Sequence, residues 1–254
     1  MSLKRKNAII TGGSRGIGKG IAIELAKRGA NILLTYHSSR TQAEQTATEI
    51  QTPNGIEAIV IEAKADNPEA PQEVVKAAVD KWGCIDIIIN NAGAREDYNF
   101  EDMTYGNWDR QIATNLRFPV FLIKEATAFF RRTPRIVNMS SVYARDGNPG
   151  CLAYVACKGA LESISRSLAR ELGHKYHATV NCVNPGPVNT ELWGRSIEDP
   201  ETQKTWDHII ENTPAAPRVA EVDDIAQIVA FLSEEGSRWT TGSVVNANGE
   251  LLFV

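Results

Sequence analysis

A tyrosine and a lysine four residues apart, Tyr154 and Lys158, are the residues of this chain whose types and spacing best suggest acid–base chemistry. They open a long amphipathic segment, where a spacing of four puts both side chains on one face of a helix. A nearby ammonium favours the phenolate and so lowers the pKa of a tyrosine, which is ordinarily about 10. The pair predicts a proton donor and acceptor near neutral pH, although the same spacing also occurs on solvated helix faces.

The elements that would position this pair alternate along the chain. Short apolar runs predict strands at Asn7–Thr11, Asn31–Tyr36, Ala58–Glu62, Ile85–Asn90, Arg135–Ser140, Thr179–Asn184 and Ser243–Asn246. Amphipathic patterns predict helices at Gly16–Arg28, Thr41–Gln51, Pro71–Trp82, Trp108–Arg132, Tyr154–His174 and Val222–Ser233. This alternation predicts an α/β fold: a single-domain, Rossmann-like, doubly wound parallel sheet of about seven strands with helices on both faces.

Residues 1–254 are therefore expected to form one dinucleotide-binding catalytic domain. The segment from Pro185 to Val219 contains five prolines and lacks a strand pattern, with a short helix expected near Glu201–Asn212. Because it follows a strand whose carboxyl end should face a ligand crevice, it predicts a substrate lid at about 186–219.

A glycine-rich turn follows the first predicted strand and leads into the first helix. Glycines permit a tight turn, and a helix N-terminus presents free N–H groups and the positive end of a dipole. The turn predicts a pyrophosphate site made by Gly12, Ser14, Arg15, Gly16, Ile17 and Gly18. A purely structural turn is the alternative that the glycines alone leave open.

The end of the second strand predicts which dinucleotide binds. An NAD site commonly has an acidic residue about 20 residues past the turn, which bonds the ribose 2′-hydroxyl. Here the sequence reads Tyr36-His37-Ser38-Ser39-Arg40, without a carboxylate. Arg15, His37, Ser38 and Arg40 could instead bind a 2′-phosphate, which favours NADP(H), unless both arginines are solvated surface charges.

Composition narrows the class of protein. The formal charge of -4, from 27 Lys plus Arg and 31 Asp plus Glu without basic clusters, argues against nucleic acid and anionic membranes as partners. The basic N-terminus runs at once into a short strand rather than a secretion signal, and no apolar run is long enough to cross a membrane. Four separated cysteines without metal-ligand spacing predict free thiols, no metal site and a cytoplasmic protein.

Together these residues resemble the short-chain dehydrogenase/reductase family, and the resemblance spans nearly the whole chain. The further matching elements are Asp66, Asn90-Asn91-Ala92-Gly93, Asn115, Ser140-Ser141 and Pro185-Gly186-Pro187-Val188-Asn189-Thr190, in the order of the family. Two departures are local: Cys157 stands where many relatives have Ser, and a single glycine, Gly249, stands where relatives often have two.

The resemblance implies a catalytic set of four residues. It implies that Tyr154 is the acid/base and that Ser141 holds and polarises the substrate carbonyl. Lys158 would lower the pKa of Tyr154 and bind the nicotinamide ribose, and Asn115 would keep an ordered water between Lys158 and solvent. It further implies that Asp66 bonds the adenine, that Asn90 and Gly93 lie along the adenosine ribose, and that Val188 and Thr190 hold the carboxamide and pyrophosphate.

The implied activity is NADPH-dependent reduction of a ketone on a small apolar or aromatic molecule, reversible as alcohol oxidation. Negative charge grows on the carbonyl oxygen as hydride arrives, and two aimed donors would stabilise it. Tyr98, Val142, Cys151, Leu192 and Trp193 are expected to shape the pocket. Arg95 would either bind an acidic or phenolic substrate or form a surface salt bridge.

Two other functions remain open from the sequence. The same scaffold could reduce an imine or assist a ring-forming step, or it could be an NADP-binding regulator without chemistry. Apolar residues on more than one face of the helices that begin near Trp108 and Tyr154 predict a homotetramer or homodimer, as in relatives whose equivalent helices pack between subunits.

Overall fold

Seven parallel strands form one sheet through the middle of the molecule. The computed structural model of the protein describes residues 1–51 and 55–251. Within that part of the chain the strands are β1 (Asn7–Ile10), β2 (Asn31–Tyr36), β3 (Ala58–Glu62), β4 (Ile85–Asn90), β5 (Phe130–Met139), β6 (Thr179–Pro185) and β7 (Val244–Ala247). Their order across the sheet is β3-β2-β1-β4-β5-β6-β7, which is the predicted doubly wound fold class.

Helices cover both faces of the sheet. They are α1 (Gly16–Lys27), α2 (Arg40–Gln51), α3 (Ala70–Trp82), α4 (Tyr105–Ile112), α5 (Phe118–Ala126), α6 (Tyr143–Asp146), α7 (Leu152–Tyr176), α8 (Glu191–Ser196), α9 (Pro200–Glu211) and α10 (Val222–Ser233). No helix in these described ranges combines the length and the apolar character needed to cross a membrane.

The alternation of side chains along the strands explains the two apolar layers. In β4, Ile87 and Ile89 belong to the core on the side of α1 and α10. Ile88 points the other way, into the core formed with α3 and α5. Because both faces are covered, every residue of β4 is buried, as is typical of a central parallel strand.

The prediction of one long helix over Trp108–Arg132 is wrong, because the helix is interrupted and ends before Arg132. The structure has α4, a π-helical turn at Ala113–Arg117, α5, and a 3₁₀ turn at Thr127–Phe129. β5 then begins at Phe130, five residues before the predicted strand. The sequence did not predict the start of β5, because Arg131 and Arg132 are exposed and polar and so give no apolar strand pattern there.

The predicted lid segment contains two helices. α9 lies within one residue of the predicted Glu201–Asn212, but α8 was not predicted. Thr190 caps α8, its Oγ1 accepting a hydrogen bond from Trp193 N at 3.3 Å. An isolated bridge outside the sheet, between Val188 and Ala220, joins the two ends of the segment.

β1 lies between β2 and β4, where the order of the strands reverses direction. Ligand sites in open parallel sheets form beyond the carboxyl ends of the strands at such a point. The turns that follow β1, β4, β5 and β6 therefore share one edge of the sheet, and these turns hold the motifs found in the sequence.

Candidate active site

A cleft of about 650 Å³ lies at that edge of the sheet. It is bounded by the glycine turn after β1, the loops after β4, β5 and β6, and the first turns of α7. The predicted residues on its wall are Gly12, Ser14, Arg15, Gly16, Ile17, Gly18, His37, Ser38, Asp66, Gly93, Arg95, Ser141, Val142, Tyr154, Lys158, Val188, Thr190, Leu192 and Trp193. Motifs far apart in the sequence therefore meet around one space.

The glycine turn has the shape of a cradle for an anion. Gly12 and Gly16 have left-handed φ angles of 65° and 54°, which side chains disfavour. A Cβ on Gly18 would lie 2.2 Å from the Gly12 carbonyl oxygen, so only glycine fits there. The side chain of Arg15 does not cap α1, which leaves the first N–H groups of that helix directed at the cleft.

Asn91 fixes this turn against β4, a role that the sequence prediction gave to no residue. Its Nδ2 donates to the carbonyl oxygens of Thr11 at 3.0 Å and Gly12 at 3.1 Å. The Asn91 N–H also donates to Thr11 Oγ1 at 3.0 Å. Asn91 belongs to the Asn-Asn-Ala-Gly motif that the sequence analysis identified, and its side chain lies on the wall of the cleft.

Asn90 is placed elsewhere than predicted. It is the last residue of β4 and is buried within the sheet, where its Nδ2 donates to Asn138 Oδ1 at 2.7 Å. Asn90 is the last residue inside the sheet, whereas Asn91 follows the end of β4 and lines the cleft.

The end of β2 contributes His37 and Ser38 to the wall of the cleft, which Arg15 also lines. Arg15 Nη1 donates to Glu191 Oε2 at 2.8 Å. Arg40 departs from the prediction. It begins α2, and its Nε donates to Glu44 Oε1 at 2.8 Å with the Arg40 side chain 73% exposed. It contributes nothing to the wall of the cleft, because the first turn of α2 directs it to solvent and to its neighbour four residues on.

Ser141, Tyr154 and Lys158 meet at the other end of the cleft. The side chain of Ser141 lies close enough to the Tyr154 hydroxyl to lower its pKa. Lys158 Nζ lies 5.4 Å from the centroid of the Tyr154 ring and donates to the Met139 carbonyl oxygen at 2.7 Å. The predicted spacing on α7 thus brings tyrosine and lysine together, and the turn after β5 adds the serine.

The predicted effect of Lys158 on Tyr154 is not what the structure shows. Burial raises the pKa of Tyr154, and the nearby Ser141 side chain and the charge of Arg95 oppose this only in part. Burial also lowers the pKa of Lys158 to about 8. The sequence prediction considered only the charge of Lys158, whereas in the structure desolvation disfavours the charged form of both groups.

Asn115 lies in the π-helical turn and is buried, just behind the cleft wall. Its Nδ2 donates to the Ala94 carbonyl oxygen at 2.7 Å, and its Oδ1 accepts from Ala94 N at 3.0 Å. A Cβ on Gly93 would lie 3.1 Å from Asn115 Oδ1 and 3.7 Å from Lys158 Nζ. Asn115 therefore holds the loop after β4 close to Lys158. Its predicted role of keeping a water remains a prediction.

Aromatic side chains also line the cleft. Trp193 of α8 packs edge-on against Trp206 of α9, with ring centroids 5.1 Å apart. Tyr143 and Trp206 line the cleft beside the predicted Val142, Leu192 and Trp193. Tyr143 follows Ser141 closely in sequence, but Trp206 carried no signal, because only the fold of the lid segment brings it there.

Tyr98 and Cys151 lie behind this wall, contrary to the prediction. The Tyr98 N–H donates to the Gly150 carbonyl oxygen at 2.8 Å, which joins the loop after β4 to the loop before α7. Cys151 is buried at the start of α7, with its Sγ 3.4 Å from the Asn148 carbonyl oxygen. All four cysteines are free. Among the described residues, no group of three or more His, Cys, Asp or Glu could hold a metal ion.

Comparisons with known proteins agree with this geometry. A family model described as enoyl-(acyl carrier protein) reductase matches residues 12–249. The short-chain dehydrogenase/reductase FrzI of Cladobotryum sp is 52% identical over 254 residues, which is 100% of this chain and 98% of that protein. The 3-oxoacyl-(acyl-carrier-protein) reductase FabG of Staphylococcus epidermidis is 34% identical over 246 residues, covering 96% of this chain and 98% of that protein.

A solved structure is similarly close. The blue fluorescent protein from a metagenomic library, in complex with NADPH, is 32% identical with a TM-score of 0.91, and the match covers 100% of both chains. The chain therefore belongs to the short-chain dehydrogenase/reductase family. The predicted family, fold class and enzyme class, an oxidoreductase acting on CH–OH and C=O groups, are confirmed, and the predicted NADP(H) agrees with the cofactor of that neighbour.

Proposed function

We propose that this protein is an NADPH-dependent reductase of a ketone on a small, largely aromatic or apolar molecule. The observation that carries the proposal is that Ser141, Tyr154, the buried Lys158 and the glycine cradle line one cleft. FabG, a relative, is named for reduction of a 3-oxoacyl group, which is also a ketone.

The residues of the cleft fit the cofactor. The glycine turn and the N-terminus of α1 would hold its pyrophosphate, and Arg15, His37 and Ser38 would hold its 2′-phosphate, with no carboxylate among residues 36–40. Asp66 would bond the adenine, while Val188, Thr190 and Lys158 would hold the nicotinamide end. When bound there, NADPH supplies the hydride.

The protein's own groups complete the reduction. The Ser141 and Tyr154 hydroxyls would donate to the carbonyl oxygen and stabilise the negative charge that develops on it. The raised pKa of Tyr154 keeps its hydroxyl protonated at neutral pH, which suits a proton donor in the reductive direction. Lys158, with a pKa of about 8, is placed to exchange a proton near neutral pH.

Three further features belong to the proposal. Residues of about 186–219 would act as the substrate lid, since α8 and α9 place Leu192, Trp193 and Trp206 over the cleft. The protein would work in the cytoplasm, which the four free thiols support. It would assemble as a homodimer or homotetramer.

The proposal is tested by following NADPH oxidation with a panel of ketones, quinones and imines. We expect turnover of at least one ketone, and a loss of at least about 100-fold in kcat for Tyr154→Phe, because the phenylalanine has no proton to give. Binding of NADPH without turnover of any panel member, unchanged by Tyr154→Phe, would instead support the regulator. Turnover confined to imines would support the imine reductase.

A further inference from the structure

We infer that Arg95 forms an anion subsite in the cleft, and that the substrate carries an anionic oxygen, as a carboxylate or an ionised phenol or enol, near its carbonyl group. This inference rests on the proposed function, since it assumes that the carbonyl lies at Ser141 and Tyr154. It adds a charge requirement that the aromatic walls alone do not impose.

The first observation is the position of the guanidinium. Arg95 lines the same cleft as Ser141 and Tyr154, and its side chain is only 21% exposed. Its positive charge is one of the influences that oppose the rise in the pKa of Tyr154. Arg95 is therefore within electrostatic range of the hydroxyl proposed to donate the proton, and a substrate could touch both groups.

The second observation is the way in which the guanidinium is held. Its carbon lies 5.6 Å from the centroid of the Tyr143 ring. Its Nη2 donates to Asp97 Oδ2 at 2.8 Å and to Ser196 Oγ, at the end of α8, at 3.3 Å. Within the described residues these bonds occupy Nη2 alone, so Nε and Nη1 keep donors for an anionic oxygen.

The sequence analysis left a surface salt bridge as the alternative role of Arg95. The structure does contain a salt bridge between Arg95 and Asp97, but this pair does not explain why the guanidinium lies on the cleft wall. Asp97 is 51% exposed, so the pair runs from the cleft out to solvent, and exposed pairs contribute little stability. Arg110, also on the cleft wall, provides the contrast. Its side chain is 61% exposed, and its Nε and Nη2 are both bonded to Glu96, so it offers less to a ligand than Arg95 does.

The experiment compares the binding of two keto acids with that of their uncharged methyl esters. Benzoylformate and 3-benzoylpropionate, each with its methyl ester, are titrated calorimetrically into the protein saturated with NADP⁺, so that no reduction follows. We expect at least one acid to bind about tenfold more tightly than its ester, as a charge-assisted hydrogen bond implies. Arg95→Met should remove this preference, Arg95→Lys should keep part of it, and the control Arg110→Met should keep it.

Equal or undetectable binding of acids and esters by the wild type would overturn the inference. So would a preference that survives Arg95→Met, or one that Arg110→Met removes equally, because the attraction would then be general to the cleft. Binding needs no chemistry, so the two proposals can fail separately. An Arg95-dependent preference without turnover of any ketone by NADPH would contradict the reductase alone, while turnover without the preference would contradict the subsite alone.

Discussion

At the scale of single residues, burial changes the chemistry that spacing suggests. Tyr154 and Lys158 are as close as their spacing implies, but burial raises the pKa of the phenol and lowers that of the ammonium. The lysine is directed at the Met139 carbonyl oxygen rather than at the phenol oxygen. Before any ligand binds, the structure favours a protonated tyrosine over a phenolate.

The buried charge of Lys158 predicts a dependence of stability on pH. The folded protein holds this proton up to a pKa of about 8, whereas the ordinary value is 10.5. Below pH 8 Lys158 is charged in both the folded and the unfolded protein, so the folded state bears the full cost of burying that charge. Between pH 8 and 10.5 the folded state loses the proton first, so this penalty fades as the pH rises. The free energy of unfolding of the wild type should therefore rise relative to that of Lys158→Met across this window.

Urea denaturation of both proteins at pH 7, 8, 9 and 10 measures this difference. Any constant offset, such as the lost hydrogen bond to Met139, cancels because only the change with pH is compared. Parallel stability curves across the window would show that Lys158 does not titrate as the structure implies.

At the scale of elements, α7 links the reacting groups to the end of β5. Glu162 continues the spacing of four from Tyr154 and Lys158 and is buried. Its Oε1 accepts from Ser140 Oγ at 2.9 Å, and its Oε2 accepts from Arg145 Nε at 2.8 Å. Glu162 thus holds both sides of Ser141, which makes it a positioning residue rather than a catalytic one.

Replacing Glu162 should therefore disturb catalysis indirectly. We expect Glu162→Leu to lower kcat about tenfold with a smaller change in KM for NADPH, because a displacement of Ser141 weakens its aim at the carbonyl oxygen. The loss of both hydrogen bonds should also cost about 2 kcal/mol of stability. Glu162→Gln keeps an acceptor and should restore most of kcat. Steady-state kinetics give the answer, and a folded Glu162→Leu with wild-type kcat would show that Ser141 is positioned without it.

At the scale of the whole molecule, some apolar side chains lie in the core and others are exposed on the surface. Among the apolar residues of the two predicted helices that suggested an oligomer, Trp108–Arg132 and Tyr154–His174, Phe118 and Leu161 are buried in this chain. Phe121 and Phe129 are instead 49% and 39% exposed. Phe121 lies on α5 and Phe129 in the 3₁₀ turn that follows it, and exposed apolar side chains of this kind are candidates for a surface that another subunit would cover.

We therefore expect the wild type to sediment as a dimer or tetramer. Phe121→Glu should weaken the assembly, because a buried interface disfavours an unpaired charge. Lys124→Glu, a change of charge on the same helix at a polar and exposed position, is the matched control and should have a smaller effect. Sedimentation velocity tests both variants, and a wild type found only as a 27.8 kDa species would contradict the prediction.

Local patterns were sufficient for most of the fold. Strands such as Ile85–Asn90 are apolar on both faces and were found at the predicted bounds. The start of β5 was missed because it depends on pairing with a distant strand. The short α8 was missed although Thr190 caps it, because six residues are too few to show a helical period. β5 begins where Phe130 pairs with Ile85, and this pairing leaves no local signal.

The sequence by itself determined the family, the glycine cradle and the Tyr154–Lys158 pair, because each depends on residue types at short spacings. Only the tertiary structure decided which neighbours reach the cleft: Asn91 rather than Asn90, and Tyr143 and Trp206 rather than Tyr98 and Cys151. It also decided how Tyr154 and Lys158 titrate. A pKa depends on the solvent and charge around a group, and these are fixed by packing between segments that lie far apart in the chain.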